Sequence, residues 1–151
     1  MAVFIQERPL KTRERIELIN ITGLVEKVVE ESNLEEGMAL VFIPHTTAGL
    51  LINEAESGLI DDFKSLFRTI ISWEADFKHN RVDHNAPSHL VGGLLSPSLS
   101  LPFKERRLSL GTWQSLFFVE LDGPRNRQVN VILYGETKLP PLTSPLTKEE
   151  S

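Results

Sequence analysis

No cysteine occurs anywhere in the chain, which removes disulfides, thiolate metal sites and thiol nucleophiles together. A metal bound here would need His, Asp, Glu and water as its ligands. Basic clusters are missing too: 16 Lys and Arg against 21 Asp and Glu give a formal net charge of -5, with no run of either cation. That balance offers no electrostatic footprint for nucleic acid or an anionic membrane. Long hydrophobic runs are absent, and the apolar start of "MAVFIQERPL" breaks at Gln6, Glu7 and Arg8, unlike a secretory signal. The expectation is a cytoplasmic protein with no nucleic-acid or membrane partner. Neither a P-loop nor a GxGxxG motif is present, and Ser96, Ser98 and Ser100 lack the GxSxG elbow of a serine hydrolase.

With 40% hydrophobic and 25% charged residues in 151, the chain has the makeup of one globular domain. That domain is expected to span residues 1–137, and the Pro- and Ser-rich tail, residues 138–151, to lie outside its core. "VFIQER" and "RIELINI" read as strands around a polar turn. From Thr22 to about Ser32, Leu24, Val25, Val28 and Val29 make one apolar stripe of an amphipathic helix. "MALVFI" is apolar on both faces, the pattern of a strand buried within a sheet. Leu59, Phe63, Leu66, Phe67 and Ile70 define a second helix, on whose flank Asp62 lies about 100° from the stripe. Asn85 suits the cap of a short third helix that carries Pro87 in its first turn. Four later stretches, "SLSLPF", "RRLSLG", "WQSLFFVELD" and "RQVNVILYGE", read as strands, the last two joined through "DGPRN" as a hairpin. Strands at both ends with helices between them indicate an α+β fold, with helices packed on a largely antiparallel sheet.

Three of the four histidines, His79, His84 and His89, fall within "HNRVDHNAPSHL"; the fourth, His45, follows the buried strand in "FIPHTTAGLLINE". A lone imidazole is ordinarily a hydrogen-bonded structural group, but several sharing a patch are hard to satisfy in an apolar core. Neutral imidazole is also the commonest protein ligand for zinc. The five-residue intervals match no established zinc signature. Asn85 and His89 share a helical face, so the amide is placed to orient a ring. Glu54 and Asp62 offer carboxylates near the His45 loop. Strict alternation along "WQSLFFVELD" sets Glu120 and Asp122 on one face with Leu116 and Phe118, where an unpaired carboxylate is costly. Glu120 is therefore a candidate base or supporting partner. Arg81, Arg106, Arg107, Arg125 and Arg127 are possible anion clamps with surface solvation as the default.

The ordered motifs "HTTAGLLINE", Asp62, "HN", "NAPSHL" and "LGTWQSLFFVELDGPR" resemble the YjbQ family, small proteins commonly named secondary thiamine-phosphate synthases. The resemblance runs from about His45 through Tyr134 and implies a compact α+β fold, a homotrimer and a polar cleft near the subunit boundary. It carries over to His45, Thr46, Thr47, Asn53, Glu54, Asp62, His79, Asn85, His89, Gly111, Thr112, Trp113, Gln114 and Glu120. It implies His45, His89, Glu120, Glu54 and Asp62 as catalytic groups, and Thr46, Thr47, Asn85, Trp113 and Gln114 as contacts to a small-molecule substrate. His45, His79 and His89 are the implied ligands of a divalent metal, zinc, or Mg²⁺ if the chemistry is that of a diphosphate. His84 stands where the family pattern has a small or acidic residue. The implied activity is that of a transferase joining a pyrimidine diphosphate to a thiazole phosphate. Two other readings stand beside it, a metal-dependent hydrolase or lyase of another small metabolite and a non-catalytic trimeric ligand-binding protein. The trimer has a second motive in the density of apolar side chains in "LSLGTWQSLFFVEL".

Overall fold

The protein is described from a computed structural model covering residues 1–137; the tail expected from residue 138 lies outside the described residues. Its elements run β1 (Ala2–Lys11), β2 (Glu17–Asn20), α1 (Thr22–Ser32), β3 (Glu36–Phe42), β4 (Ala48–Asn53), α2 (Ser57–Thr69), α3 (Ala86–Leu94), β5 (Ser98–Lys104), β6 (Arg107–Leu108), β7 (Ser115–Glu120) and β8 (Asn126–Glu136). A 3-10 turn at Lys78–Arg81 precedes α3. The fold is α+β, as expected, with two antiparallel sheets. One is five-stranded in the order β1-β8-β3-β5-β6, and the other three-stranded in the order β2-β7-β4.

The period-2 patterning of the strands decides what each sheet buries. Ala39 and Val41 of β3, Leu101 and Phe103 of β5, and Val129, Val131 and Leu133 of β8 join Leu50 of β4 and Leu116 and Phe118 of β7 in one core, closed by Val25, Val28 and Val29 of α1. On the opposite face of the small sheet, Val119 and Leu121 pack with Ile16, Phe67 of α2 and Val91 of α3 in a second core. Strand β7 thus lies in the middle layer with both faces covered, which accounts for the near-continuous apolar run "SLFFVEL". Those side chains are buried within one chain, whereas Trp113, earlier in the same stretch, is 72% exposed.

Three further expectations change. Strand β3 alternates where burial on both faces was expected: Met38 and Phe42 are 45% and 38% exposed, because among the described residues no helix covers the outer face of the large sheet. Strands β7 and β8 form no hairpin, since β7 pairs with β2 and β4 while β8 pairs with β1 and β3; "DGPRN" carries the chain from one sheet to the other. The segment "AGLLIN" forms β4, for which no strand was expected. Helix α3 packs so closely on the loop before β4 that a Cβ at Gly92 would meet the carbonyl oxygens of Thr46 and Ala48 at 3.2 Å. This packing sets the His79–His89 segment beside the end of β7. No helix among the described residues is long and apolar enough to cross a membrane.

Candidate functional site

The acidic end of β7 is the most heavily bonded polar region of the fold. Glu120 is fully buried. Its Oε1 accepts from the Thr12 hydroxyl at 2.7 Å and from Arg127 Nε at 2.8 Å, and its Oε2 accepts from the N–H groups of Leu121 and Asp122, both at 3.0 Å. Arg127, also buried, binds the second oxygen as well and donates to the Thr47 hydroxyl at 2.9 Å. Burial raises the Glu120 pKa, but the Arg127 hydrogen bond, the Asp122 N–H, the Thr12 hydroxyl and the Arg127 charge outweigh it and hold the carboxyl below its ordinary value. A carboxylate so saturated suits the part of an anchor, the supporting one of the two roles read for it in the sequence, better than that of a base. The chain must pass close by: a Cβ at Gly123 would fall 2.2 Å from the Glu14 carbonyl oxygen.

His45 belongs to this buried region. Its Nε2 accepts the Gln128 backbone N–H at 2.9 Å, and its ring meets Phe118 edge-on at 6.2 Å between centroids. Burial, and then the nearby Arg127 charge, lower its pKa, against the raising effect of the Gln128 backbone bond and the Glu120 charge. With the Gln128 carbonyl oxygen also 3.2 Å from Nε2, this nitrogen is turned to the backbone of β8.

His79 and His89 come together elsewhere. Their rings meet edge to face with centroids 4.6 Å apart, at an interplanar angle of 73°. Both line a cavity of about 630 Å³ with Asp76, Phe77, Lys78, Ala86 and Leu90. Asn85 stands at the N-cap position of α3, yet its side chain makes no capping bond. Its amide bridges outward instead: Nδ2 donates to Asp122 Oδ2 at 2.8 Å, and Oδ1 lies 3.2 Å from His79 Nε2. Asp122 also accepts from Arg125 at 2.8 Å and pairs with Arg15 at 3.4 Å. Burial raises the Asp122 pKa, but the bonds from Asn85 and Arg125 and the charges of Arg15 and Arg125 bring it below the ordinary range. An ionised carboxylate only accepts, so the amide NH₂ must face it and the amide oxygen must face His79. His79 therefore donates from Nε2 and, when neutral, carries its lone pair on Nδ1.

The residues singled out in the sequence thus fall into separate places. His79, His89 and Asn85 share the cavity region; Thr47 and Glu120 share the buried network with Arg127, and His45 lies beside it against the Gln128 backbone. Asn53, Glu54, Trp113 and Gln114 line a third space of about 300 Å³. It lies at the other end of the small sheet, because Ala48 pairs with Glu120 while Asn53 pairs with Ser115; five strand residues span about 17 Å. Gln114 there accepts the Gly111 N–H at 2.9 Å. Thr46, Asp62, His84 and Thr112 are exposed. The expected metal set of His45, His79 and His89 is not assembled: among the described residues no three His, Cys, Asp or Glu side chains converge on a metal position. The donor set of the described residues in one chain does not fit a three-histidine zinc centre.

Three members of the network escaped the role they hold. Asp122 had its signal in the alternation that placed it beside Glu120, whereas Arg127 looked like a solvated surface cation. Thr12 had no signal, since only the long-range packing of its loop brings it to residue 120.

The fold and this arrangement define a small α+β protein with an imidazole-lined cavity. The family profile described as UPF0047 protein YjbQ-like matches residues 6–136, and the chain belongs to that family. A UPF0047 protein of Methanothermobacter thermautotrophicus is 45% identical over 136 residues, covering 90% of this chain and 95% of its own. UPF0047 protein YugU of Bacillus subtilis is 35% identical, covering 83% and 96%. Among solved structures, a YbjQ-like protein of unknown function from Sulfolobus solfataricus superposes with a TM-score of 0.86 at 38% identity, covering 89% of this chain and 99% of its own. A YjbQ/UPF0047 family protein from Clostridium acetobutylicum does so with a TM-score of 0.81 at 40% identity, covering 85% and 99%.

Replacing Glu120 by Gln leaves Arg127 buried without its counter-charge and should cost about 3–5 kcal/mol in urea unfolding. Because the folded-state pKa of Glu120 is depressed from 4.5, the wild-type contribution is complete above the unfolded carboxyl's pKa. It is lost as pH falls toward the folded value. The variant should therefore show a flatter loss of stability in that acid range; an unchanged acid profile would count against the pair.

Proposed function

We propose that this chain is an enzyme acting on a small metabolite in the cavity between the 3-10 turn and α3, with His79 as general base and His89 as the neighbouring imidazole. The carrying observation is the chain of contacts from Asp122 through Asn85 to His79, which leaves Nδ1 as the ring's acceptor beside an open cavity. Such a group is placed to accept a proton from a bound molecule. Phe77, Ala86 and Leu90 give the cavity apolar walls for a ring or short chain, and Lys78 and Asp76 stand at its polar side. In thiamine-phosphate formation, the activity implied by the family resemblance, the thiazole nitrogen displaces pyrophosphate with its lone pair and has no proton to give up, so His79 would there act as a hydrogen-bonding group toward the substrates, with a heterocycle on the apolar walls and Lys78 facing a phosphate. The assay is pyrophosphate release from the pyrimidine diphosphate and thiazole phosphate, with a metabolite extract as the broader screen. His79→Ala should lower kcat by roughly 10²–10⁴-fold with the melting temperature held within a few degrees. Turnover that survives in both His79→Ala and His89→Ala would sink the reading.

The assembly proposed with this function is a homotrimer built on the outer face of the large sheet. The register aligns Val3, Tyr134 and Met38 in one row and Ile5, Ile132 and Leu40 in the next. Val3, Ile5, Met38 and Tyr134 are 54%, 59%, 45% and 44% exposed in the single chain. A contiguous apolar face of this kind is the mark of an association surface. Light scattering should give three times the chain mass of 17.1 kDa, and Ile5→Glu with Tyr134→Glu should lower it. A monomer mass at every concentration would rule the assembly out.

A further inference from the structure

The histidine left over from the cavity, His84, has a site of its own. It lines a space of about 460 Å³ with Arg15, Ile16, Arg68, Trp73 and Glu74. The three cationic or potentially cationic groups come from separate parts of the chain: Arg15 from the loop before β2, Arg68 from the last turn of α2, and His84 from the residue preceding the cap of α3. In a protein of net charge -5 this is a local gathering of positive charge, with Glu74 in the lining and Asp122 behind Arg15 as the opposing carboxylates.

The cations are not consumed by one another's neighbours. Among the described residues Arg68 has neither an ion pair nor a side-chain hydrogen bond, and the His84 ring makes no hydrogen bond. Arg15 is spent only in part. Its guanidinium lies 5.7 Å from the Trp73 ring centroid and reaches Asp122 at 3.4 Å, a carboxylate already served by Arg125 and Asn85. A guanidinium has five donors, so most of its capacity remains. Trp73 is held in place by its indole N–H, which donates to the Phe67 carbonyl at 2.9 Å; with Ile16 it makes a fixed apolar wall.

We infer that this cavity binds a phosphate monoester of a small apolar or aromatic group. Two guanidiniums approaching from different elements suit a tetrahedral oxyanion with several acceptor oxygens better than one planar carboxylate. The space exceeds what a phosphate fills, and its remainder is walled by Trp73 and Ile16. The site is separate from the His79–His89 cavity and does not rest on the function proposed there.

The test uses Trp73 as the reporter in the full chain carrying Trp113→Phe, a change at a side chain 72% exposed. Inorganic phosphate and phenyl phosphate are titrated at constant ionic strength against a chloride control. Saturable changes in emission are expected with both, tighter for phenyl phosphate. Arg68→Gln should weaken each by roughly tenfold, and His79→Ala should leave them unchanged. Non-saturating changes that merely follow ionic strength, or equal binding by Arg68→Gln, would overturn the site. Phosphate binding with phenyl phosphate excluded would overturn the ester.

Discussion

A buried carboxylate and a buried guanidinium, Glu120 at the end of β7 and Arg127 at the start of β8, join the two sheets of this protein. Taking both charges out of water is costly, and the cost is offset only because their remaining hydrogen-bonding capacity is filled. Thr12 and two backbone N–H groups complete Glu120, and Thr47 completes Arg127. The pair therefore draws the loop before β2, the loop before β4 and the β7–β8 crossing to one point. It is a constraint on geometry more than a source of net stability.

Its consequence for the site runs through the backbone. By holding the N–H groups of Leu121 and Asp122, Glu120 fixes the chain where it leaves β7, and the Asp122 side chain is set toward Asn85. Asn85 in turn forgoes the capping bond its position on α3 would permit, and Ser88 ties the first turn of the helix to the Leu121 carbonyl at 2.6 Å. The helix start is thus held by the site, and the amide that would have capped it orients an imidazole. A local rule broken in this way is the kind of departure expected where function competes with stability.

The parts of the structure governed by short-range pattern were legible in the sequence. Helix α1 begins and ends where its valine stripe places it, α2 starts two residues ahead of its first stripe residue, and Asn85 does precede α3. The alternation along β7 assigned its faces, with Leu116 and Phe118 in one core and Val119 and Leu121 in the other. Long-range pairing was not legible. "DGPRN" has the composition of a hairpin turn, and only the pairing of Glu120 with Arg127 across the sheets shows why the chain crosses instead. The same limit separated His45 from His79 and His89. Proximity in a list of histidines says nothing about which strand a ring faces, and His45 turns to the backbone of β8.

The central claim is that buried charge at the end of β7 sets the proton on His79, and ring nitrogen NMR of the imidazole tests it most directly. At alkaline pH, where a free imidazole is neutral, the account predicts a single His79 tautomer with the proton on Nε2. Asp122→Asn, which keeps the shape but lets residue 122 donate as well as accept, should release the Asn85 amide and give a mixture of tautomers in a folded protein. A wild-type His79 carrying its proton on Nδ1, or a tautomer unmoved by Asp122→Asn, would contradict it.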